Sequence, residues 1–256
     1  MICIIVQARM GATRLPGKMM KDIAGKPAIA HVFERARLSK RARDVWLATT
    51  TNAADDVLAG WAARNRVPCY RGSERDVLDR YYQTAKEAGA GVIVRITGDC
   101  PLLDAAVIDE VIDGFAGGMY DYVSNVHPPT FPDGLDTEVF SFAALERAWR
   151  EAKLPSEREH VTPYMWKNPD LFAQKNVEQS PDASAHRWTL DTPADLQFLR
   201  LVAGECTRRG SQCGWKEVLA ILEAHREWQT INASFSRNEG YKKSLDEDRI
   251  KTDRDI

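Results

Sequence analysis

The stretch MICIIVQARMGATRLPGKMMKDIAGKP, residues 1–27, decides how the rest of the chain must fold. Its apolar run from Ile2 to Val6 is rich in β-branched residues, which is typical of a strand buried on both faces of a parallel sheet. The residues that follow interleave Arg9, Arg14 and Lys18 with glycines and other small residues. Such a loop can bend sharply and turn its backbone N–H groups toward an anion. A strand that leads into it has the layout of a phosphate-binding site.

The loop matches neither of the two common glycine-rich motifs. It lacks GxGxxG and GxxxxGK[ST], so it predicts neither a dinucleotide-binding fold nor a Walker-type ATPase. Its charges alone also fit a solvated basic loop, because arginine and lysine side chains are usually exposed. Composition leaves both interpretations open.

Length and charge set the outer bounds. A chain of 256 residues, 44% of them hydrophobic, is long enough for one sizeable core. Its formal net charge of -2 gives no reason to expect a nucleic-acid partner or an anionic membrane surface. No run approaches the roughly 18 apolar residues of a membrane span, and the first apolar run is too short for a signal peptide. We therefore expect a cytoplasmic protein with no nucleic-acid or membrane partner.

The cysteines carry little functional signal. The five cysteines are odd in number and contain no CxxC pair, which disfavours a disulfide framework or a zinc site. We expect most of them to be buried free thiols.

Beyond the loop, helical and strand patterns alternate. Apolar stripes predict helices from Pro27 and over 53–66, and strands over 45–49 and 67–70. Ser73 is then placed to cap a further helix. These βα repeats predict a doubly wound, mostly parallel sheet.

Two carboxylates follow predicted strands. Asp99 lies three residues after Ile96, the end of the predicted buried strand 92–96, and Asp191 follows the predicted strand 186–190. Ligands of open α/β sheets bind at the carboxyl ends of strands, where an acidic residue can hold a Mg²⁺ that bridges phosphates. An aspartate after a strand can equally cap a helix, and we assign that role to Asp104. Thr192 is placed to cap a helix that begins at Pro193, with Asp195 in a capping-box position.

The region from about 120 to 190 has a different character. It predicts two strands, 121–126 and 134–140, joined by a proline-dense loop, and ordered loops of this length are disproportionately functional. Its acidic residues fit either the wall of a pocket or the solvated face of a strand. His160 fits either a hydrogen bond to a substrate or a packing role, and the absence of HExxH excludes the common zinc-hydrolase motif. The acidic residues are Asp133, Asp136 and Glu138.

The last 25 residues differ again in composition. Residues 232–256 are polar and charged, with too few apolar side chains to order by themselves. We therefore expect one domain over 1–231, followed by a charged tail that frays or packs on a partner.

Four motifs together resemble a known family. These are RMGATRLPGKMM at 9–20, GDCPL at 98–102, FPDGLDTEVF at 131–140 and LDTPADL at 190–196. They resemble the sugar cytidylyltransferases, most closely the SpsF-like enzymes of spore-coat polysaccharide biosynthesis, over nearly the whole length to about residue 230. The resemblance implies a glycosyltransferase-A-like α/β fold, with a smaller α+β lobe at about 120–190 that binds the acceptor and pairs subunits into a homodimer.

The resemblance also implies roles for particular residues. Arg14 and Lys18 would contact the triphosphate of CTP, while Asp99 and Asp191 would be the catalytic metal ligands for Mg²⁺. The residues implied to bind the nucleotide are Gln7, Ala8, Arg9, Met10, Gly11, Arg14, Lys18, Ser73, Thr97 and Gly98. The residues implied to border the acceptor are Asp133, Asp136, Glu138 and His160.

The implied reaction is transfer of CMP from CTP to a sugar acid, with release of pyrophosphate, for surface polysaccharide or glycoconjugate biosynthesis. Two alternatives stay open: transfer to a sugar phosphate, and a nucleotide-binding module without turnover. Thr97 stands where the octulosonate enzymes carry a base-reading glutamine, so the base preference follows less directly from the resemblance.

Overall fold

A computed structural model describes residues 1–235, 237 and 239–254 of the chain, with side chains to residue 249. The strands are β1 (Ile2–Gln7), β2 (Asp22–Ile23), β3 (Lys26–Pro27), β4 (Asp44–Thr50), β5 (Cys69–Gly72), β6 (Val92–Thr97), β7 (Tyr122–Ser124), β8 (Glu138–Ser141) and β9 (Gln174–Asn176). The α-helices are α1 (Ala28–Ala36), α2 (Asp56–Arg64), α3 (Val77–Glu87), α4 (Ala105–Phe115), α5 (Phe142–Glu151), α6 (Pro155–His160), α7 (Pro163–Trp166), α8 (Pro193–Arg208), α9 (Trp215–Ala224) and α10 (Glu239–Arg254). Short 3-10 helices lie at Lys18–Met20, Ala53–Asp55 and Arg226–Thr230.

The central sheet has the strand order β5-β4-β1-β6-β8-β7-β9. All neighbouring pairs are parallel except those that involve β8, which runs against both β6 and β7. The mostly parallel α/β sheet predicted from the βα repeats is confirmed. β2 and β3 form a separate two-stranded hairpin.

The core lies on both faces of this sheet. Side chains of β1 alternate between the two faces, with Ile4 and Val6 packed among α1, α2 and α4, and Cys3 and Ile5 packed toward α3 and α5. Because both faces are covered, β1 is apolar almost throughout, as its sequence predicted. Among the described residues, no helix is both long and apolar enough to cross a membrane.

The region 120–190 shares the central sheet, because β7, β8 and β9 extend it on one side. The strand predicted over 186–190 does not form. That segment instead makes an isolated parallel bridge between Arg187 and Asp133, and the Trp188 N–H donates to the Asp133 carbonyl at 2.7 Å. A proline-dense loop, rather than a regular strand, is its partner, which periodicity alone does not reveal.

The N-cap residue was predicted correctly for helix α8 and wrongly for helix α3. At α8, Thr192 caps the helix and its hydroxyl accepts from the Asp195 N–H at 3.2 Å, as predicted. At α3 the cap is Asp76, which accepts from the Asp79 N–H at 2.9 Å, and not Ser73. Ser73 lies one turn earlier, where its hydroxyl accepts from the Asp76 N–H.

Residues 239–254 of the C-terminal segment form helix α10, so the expectation that the tail frays is wrong for this part of it. Helix α10 packs along α6, although few of its residues are apolar. Polar contacts hold it: the Ser244 hydroxyl donates to Glu159 at 2.8 Å, and Asp248 accepts from the Ser156 N–H at 2.8 Å. The expectation considered only apolar burial and therefore missed these hydrogen bonds.

The expectation for the cysteines is also wrong for one pair. Cys206 and Cys213 form a disulfide that closes the connection between α8 and α9, with their Cα atoms 5.5 Å apart. The turn after α8 brings them together, and neither an odd cysteine count nor the missing CxxC reveals that turn. Cys3 and Cys100 are buried free thiols, as predicted, and Cys69 is a partly buried one.

Candidate active site

The candidate site lies where β1 and β6 end side by side. Gln7 pairs with Thr97 in the parallel ladder, and the Gly98 N–H donates to the Gln7 carbonyl at 2.8 Å. A Cβ atom at Gly98 would lie 2.9 Å from the Ala8 Cβ and 3.0 Å from the Gln7 carbonyl oxygen. Glycine therefore allows the loop after β1 to pass directly against the turn after β6.

Asp191 reaches the same place without a strand. The Leu190 N–H donates to the Asp99 carbonyl at 2.8 Å, which sets the two aspartates next to each other. The start of α8 then fixes the chain direction, because Asp195 accepts from the Asp191 N–H at 3.0 Å. The predicted convergence of two carboxylates at the end of the sheet is thus present, through an irregular segment.

Lys18 lies between these two carboxylates. Its Nζ is 2.6 Å from Asp99 Oδ2 and 2.8 Å from Asp191 Oδ1, and its side chain is 9% exposed. Burial alone would lower the pKa of Lys18, but the two negative charges outweigh it and raise that pKa. Burial alone would likewise raise the pKa of Asp99, but the Lys18 ammonium lowers it to about 2. The lysine and Asp99 are therefore charged at neutral pH.

Arg14 is the second loop cation at this point. Its Nη2 lies 3.3 Å from Asp191 Oδ2, and its Nη1 donates to Glu239 at the start of α10. With 43% of its side chain exposed, Arg14 faces the cleft, whereas Lys18 is held beneath it. A planar guanidinium in this position is suited to bidentate contact with a phosphate.

The larger of two adjoining cavities, about 860 Å³, opens above the loop. Eight of the residues predicted to bind the nucleotide line it: Gln7, Ala8, Arg9, Gly11, Arg14, Lys18, Thr97 and Gly98. Met10 and Ser73 line neither this cavity nor its neighbour. The Met10 side chain packs on the core, and its N–H donates to Asp55 at 2.6 Å, so Met10 anchors the loop.

The smaller cavity, about 360 Å³, lies beside the first. All four residues predicted to border the acceptor line it: Asp133, Asp136, Glu138 and His160. Arg14, Asp99 and Asp191 line both cavities and so form the boundary between them. The structure therefore places the predicted metal ligands where the two cavities meet.

Glu138 is not on a solvated face of its strand, so that alternative is wrong for this residue. It is 4% exposed, and its Oε1 accepts from the Tyr122 hydroxyl at 2.6 Å and the Thr162 hydroxyl at 2.7 Å. Its second oxygen accepts from Arg95. These partners organise the floor of the smaller cavity around one buried ion pair.

His160 has the packing role that its sequence left open, and its hydrogen bond to a substrate stays a prediction. It lines both cavities, and it also packs edge-on against Tyr241 with the ring centroids 5.1 Å apart. Its Nε2 lies 3.0 Å from the Ser244 hydroxyl. Burial lowers the pKa of His160 to about 4, so its imidazole is neutral at physiological pH.

Asp133 carries the most unusual charge state in the smaller cavity. Burial and then the neighbouring Asp136 raise its pKa from the ordinary 3.8 to about 7, against the opposing effect of Arg237 and Arg187. Between about pH 4 and pH 7, the folded protein therefore holds a proton on Asp133 that the unfolded chain has already released. This contribution to stability is complete below pH 4 and is lost as the pH rises through about 7.

We expect the free energy of unfolding to reflect that proton. Between pH 5 and pH 7 the wild type should lose up to about 1.4 kcal/mol per pH unit from this carboxyl, whereas Asp133→Asn should lack the loss. Urea denaturation of both proteins at pH 5, 6, 7 and 8 measures the difference. Parallel stability curves for the two proteins would show that Asp133 titrates normally.

The donor set also bears on the predicted metal. No group of three or more histidine, cysteine, aspartate or glutamate side chains within the described residues could hold a metal ion alone. Mg²⁺, however, is commonly bound by one or two carboxylates with water and substrate phosphates completing the shell. Asp99 and Asp191 already approach a common cation, the Lys18 ammonium, so this pair fits that kind of site.

Several residues of the site were missed by sequence reasoning. Arg187, which is 9% exposed, pairs with three aspartates at the base of the smaller cavity. An arginine just before a tryptophan in a predicted buried strand was the available signal, since a buried arginine needs carboxylate partners. The other missed residues that line the smaller cavity include Arg95, Trp166, Thr189, Glu239 and Tyr241.

Comparison with known proteins agrees with this geometry. The sequence profile of the cytidylyltransferase family matches residues 3–214. The chain is 38% identical over 196 residues to an uncharacterised protein of Methanocaldococcus jannaschii, covering 76% of this chain and 79% of that one. It is 32% identical over 217 residues to the spore coat polysaccharide biosynthesis protein SpsF of Bacillus subtilis, covering 80% and 88%.

Among solved structures, a cytidylyltransferase from Leptospira borgpetersenii superposes with a TM-score of 0.84 at 32% identity, covering 89% of this chain and 96% of that one. The octulosonate enzymes are also similar: the 3-deoxy-manno-octulosonate cytidylyltransferase of Cellvibrio japonicus is 35% identical over 187 residues, covering 70% and 68%. The family predicted from the four motifs is confirmed. The chain belongs to the cytidylyltransferases, which are CTP-dependent nucleotidyltransferases.

Proposed function

We propose that the protein transfers CMP from CTP to a hydroxyl group of a sugar acid and releases pyrophosphate. The observation that carries the proposal is the meeting of two cavities at Arg14, Asp99 and Asp191. The larger cavity, with the loop cations, suits the nucleotide, and the smaller one suits the acceptor. The acceptor hydroxyl and the α-phosphate would then meet at this boundary.

The charges around the site indicate that a bound triphosphate needs an additional cation. Lys18 and Arg14 together balance the two carboxylates Asp99 and Asp191, which lie within 3.3 Å of them. A bound triphosphate would add negative charge that these cations cannot offset alone. Mg²⁺ held by the two carboxylates would supply the missing positive charge and polarise the phosphate oxygens. The chain's own part is to hold both carboxylates at one point.

The reaction needs positioning more than acid–base chemistry. The acceptor hydroxyl loses its proton to solvent as its oxygen forms a bond to the α-phosphorus. The bond from that phosphorus to the bridging oxygen of the β-phosphate breaks, and pyrophosphate leaves. Arg14 would contact the phosphates from the cleft and Lys18 from beneath, which stabilises the charge that develops on them. Gly98 keeps the turn against the loop, so both reactants sit on a rigid sheet edge.

The smaller cavity favours a sugar acid over a sugar phosphate. Among the residues that the structure describes, six carboxylates line it against three arginines, and each of these arginines is already paired with one of the carboxylates. A phosphate group carries nearly two negative charges and would meet these carboxylates. A single carboxylate carries only one negative charge and meets less repulsion. Asp133, with a pKa of about 7, is partly protonated at neutral pH, which reduces that repulsion further.

The test is pyrophosphate release with Mg²⁺, using CTP, UTP, ATP and GTP separately. Each nucleotide is combined with 3-deoxy-manno-octulosonate, with nine-carbon sugar acids and with simple sugar phosphates. We expect release with CTP and a sugar acid, and release about 100-fold to 1,000-fold slower in a matched Asp99→Asn sample. Release with a sugar phosphate in place of a sugar acid would contradict the proposal. The homodimer implied by the resemblance stays a prediction, which sedimentation velocity measures.

A further inference from the structure

The C-terminal segment forms one wall of the smaller cavity. Glu239, Gly240 and Tyr241, the first turn of α10, line it together with Asp133 and Asp136. These residues lie beyond residues 3–214, where the family profile matches. The wall is therefore an addition to the part of the chain that the family match covers, placed against the cavity that we assign to the acceptor.

The wall is held in place from several sides. Before the helix, Arg237 pairs with Asp136 and donates to the Phe131 carbonyl at 3.3 Å. Within the helix, the Ser244 hydroxyl donates to Glu159 at 2.8 Å. Glu239 accepts from Arg14 of the loop after β1. The wall thus links the acceptor cavity to the residue that faces the nucleotide.

Tyr241 is the side chain of this wall with unused hydrogen-bonding capacity. Its ring packs against His160 and Trp166, with centroid distances of 5.1 and 5.8 Å, so its orientation is fixed. Its hydroxyl is closed off from solvent and has no hydrogen-bond partner among the residues that the structure describes. A buried hydroxyl without a partner is destabilising, and each such group in a native protein calls for an explanation.

The same cavity collects other unpartnered polar atoms. Gln7 Oε1, Arg95 Nε and Thr189 Oγ1 are also buried without a partner in the described part of the chain, and all three side chains line this cavity. Donors and acceptors are both represented, as a ligand with several hydroxyl groups would require. The unmet hydrogen bonds therefore surround the space where the proposed function places a polyhydroxylated acceptor.

We propose that Tyr241 determines acceptor specificity, by a hydrogen bond from its hydroxyl to an oxygen of a polyhydroxylated acceptor. The inference rests on the proposed function, because it assigns the smaller cavity to the acceptor. Sites that hydrogen-bond a substrate oxygen discriminate strongly against analogues that lack it. Since the wall lies outside the family match, the acceptor of this protein can differ from those of its relatives.

The test compares Tyr241→Phe with the wild type in pyrophosphate release. The acceptor used is the one in the panel that the wild type turns over fastest with CTP. Phenylalanine keeps the ring that packs on His160 and Trp166, so the fold is preserved. We expect KM for the acceptor to rise about fivefold to tenfold, while KM for CTP stays within about twofold, since one neutral hydrogen bond is lost.

The matched control is Tyr164→Phe, which removes a hydroxyl that donates to Glu151 at the surface at 2.6 Å and lines neither cavity. Its two KM values should match those of the wild type. An unchanged acceptor KM in Tyr241→Phe, or an equal rise in both KM values, would overturn the specificity role while leaving the proposed function standing. Absence of turnover by the wild type with every acceptor would overturn the proposed function and, with it, this inference.

Discussion

Replacement of Asp99 by asparagine is expected to lower kcat by a factor of about 100 to 1,000, because a charged group that stabilises the reacting phosphates contributes on that order. Asparagine has nearly the same shape but no negative charge, so it leaves a single carboxylate, Asp191, to hold a divalent cation. The Mg²⁺ concentration for half-maximal rate should rise as well. Steady-state pyrophosphate release over a Mg²⁺ titration measures both effects.

The fold of the Asp99→Asn protein should survive. Lys18 keeps its ion pair with Asp191 at 2.8 Å, so the variant leaves no unpaired buried ammonium. The loss of activity is then a property of the site, which a thermal melt close to that of the wild type would establish. A kcat within tenfold of the wild type would exclude Asp99 from the reacting centre.

Asp104→Asn is the matched control, since the same substitution is made five residues further along. Asp104 caps α4, accepting from the Ala106 N–H at 2.8 Å, and asparagine caps helices about as well as aspartate. It lines neither cavity. We expect its kcat to stay within about twofold of the wild type.

The part of the fold that local patterns determine was predictable. β1 is a buried parallel strand because Ile2–Gln7 is apolar, and α8 begins at Pro193 because Thr192 and Asp195 form a capping box. The carboxyl ends of adjacent strands also bring Thr97 beside Gln7, as the alternation of helix and strand implies. These local patterns predicted the fold class, and the four motifs predicted the family.

The part that depends on contacts between distant segments was not predictable. Asp191 reaches Asp99 through a backbone hydrogen bond from Leu190, in a segment that is not a strand. α10 is held by polar contacts from Ser244 and Asp248, which no apolar stripe signals. The sequence places titratable groups in order along the chain, but their burial and pairing depend on the tertiary fold.

Arg187 shows how much one such contact determines. Its guanidinium pairs with Asp133 at 3.2 Å, Asp191 at 2.9 Å and Asp195 at 3.0 Å, and its side chain is 8% exposed. Burial alone would lower the pKa of Arg187, but its hydrogen bond to Asp195 and the surrounding negative charges raise it. One cation therefore contacts a metal-ligand candidate, an acceptor-cavity residue and the capping-box aspartate of α8.

Arg187→Met is accordingly expected to lower the free energy of unfolding by about 3–5 kcal/mol, because it leaves buried carboxylates without their cation. For a chain of this size the melting temperature should fall by roughly 10 °C. The exposed Arg208, paired only with Glu205, provides the control: Arg208→Met should change the free energy by less than about 0.5 kcal/mol.

The pH dependence separates lost charge pairing from lost packing. Without the guanidinium, the pKa of Asp195, which Arg187 helps to hold low, rises, and the pKa of Asp133, already raised to about 7 in the wild type, rises further. The variant therefore loses stability as the pH rises. The deficit relative to the wild type should therefore be smaller at pH 5 than at pH 8. A deficit that is the same at both values would mean that Arg187 stabilises the protein by packing, and that Asp195 does not depend on it for its charge.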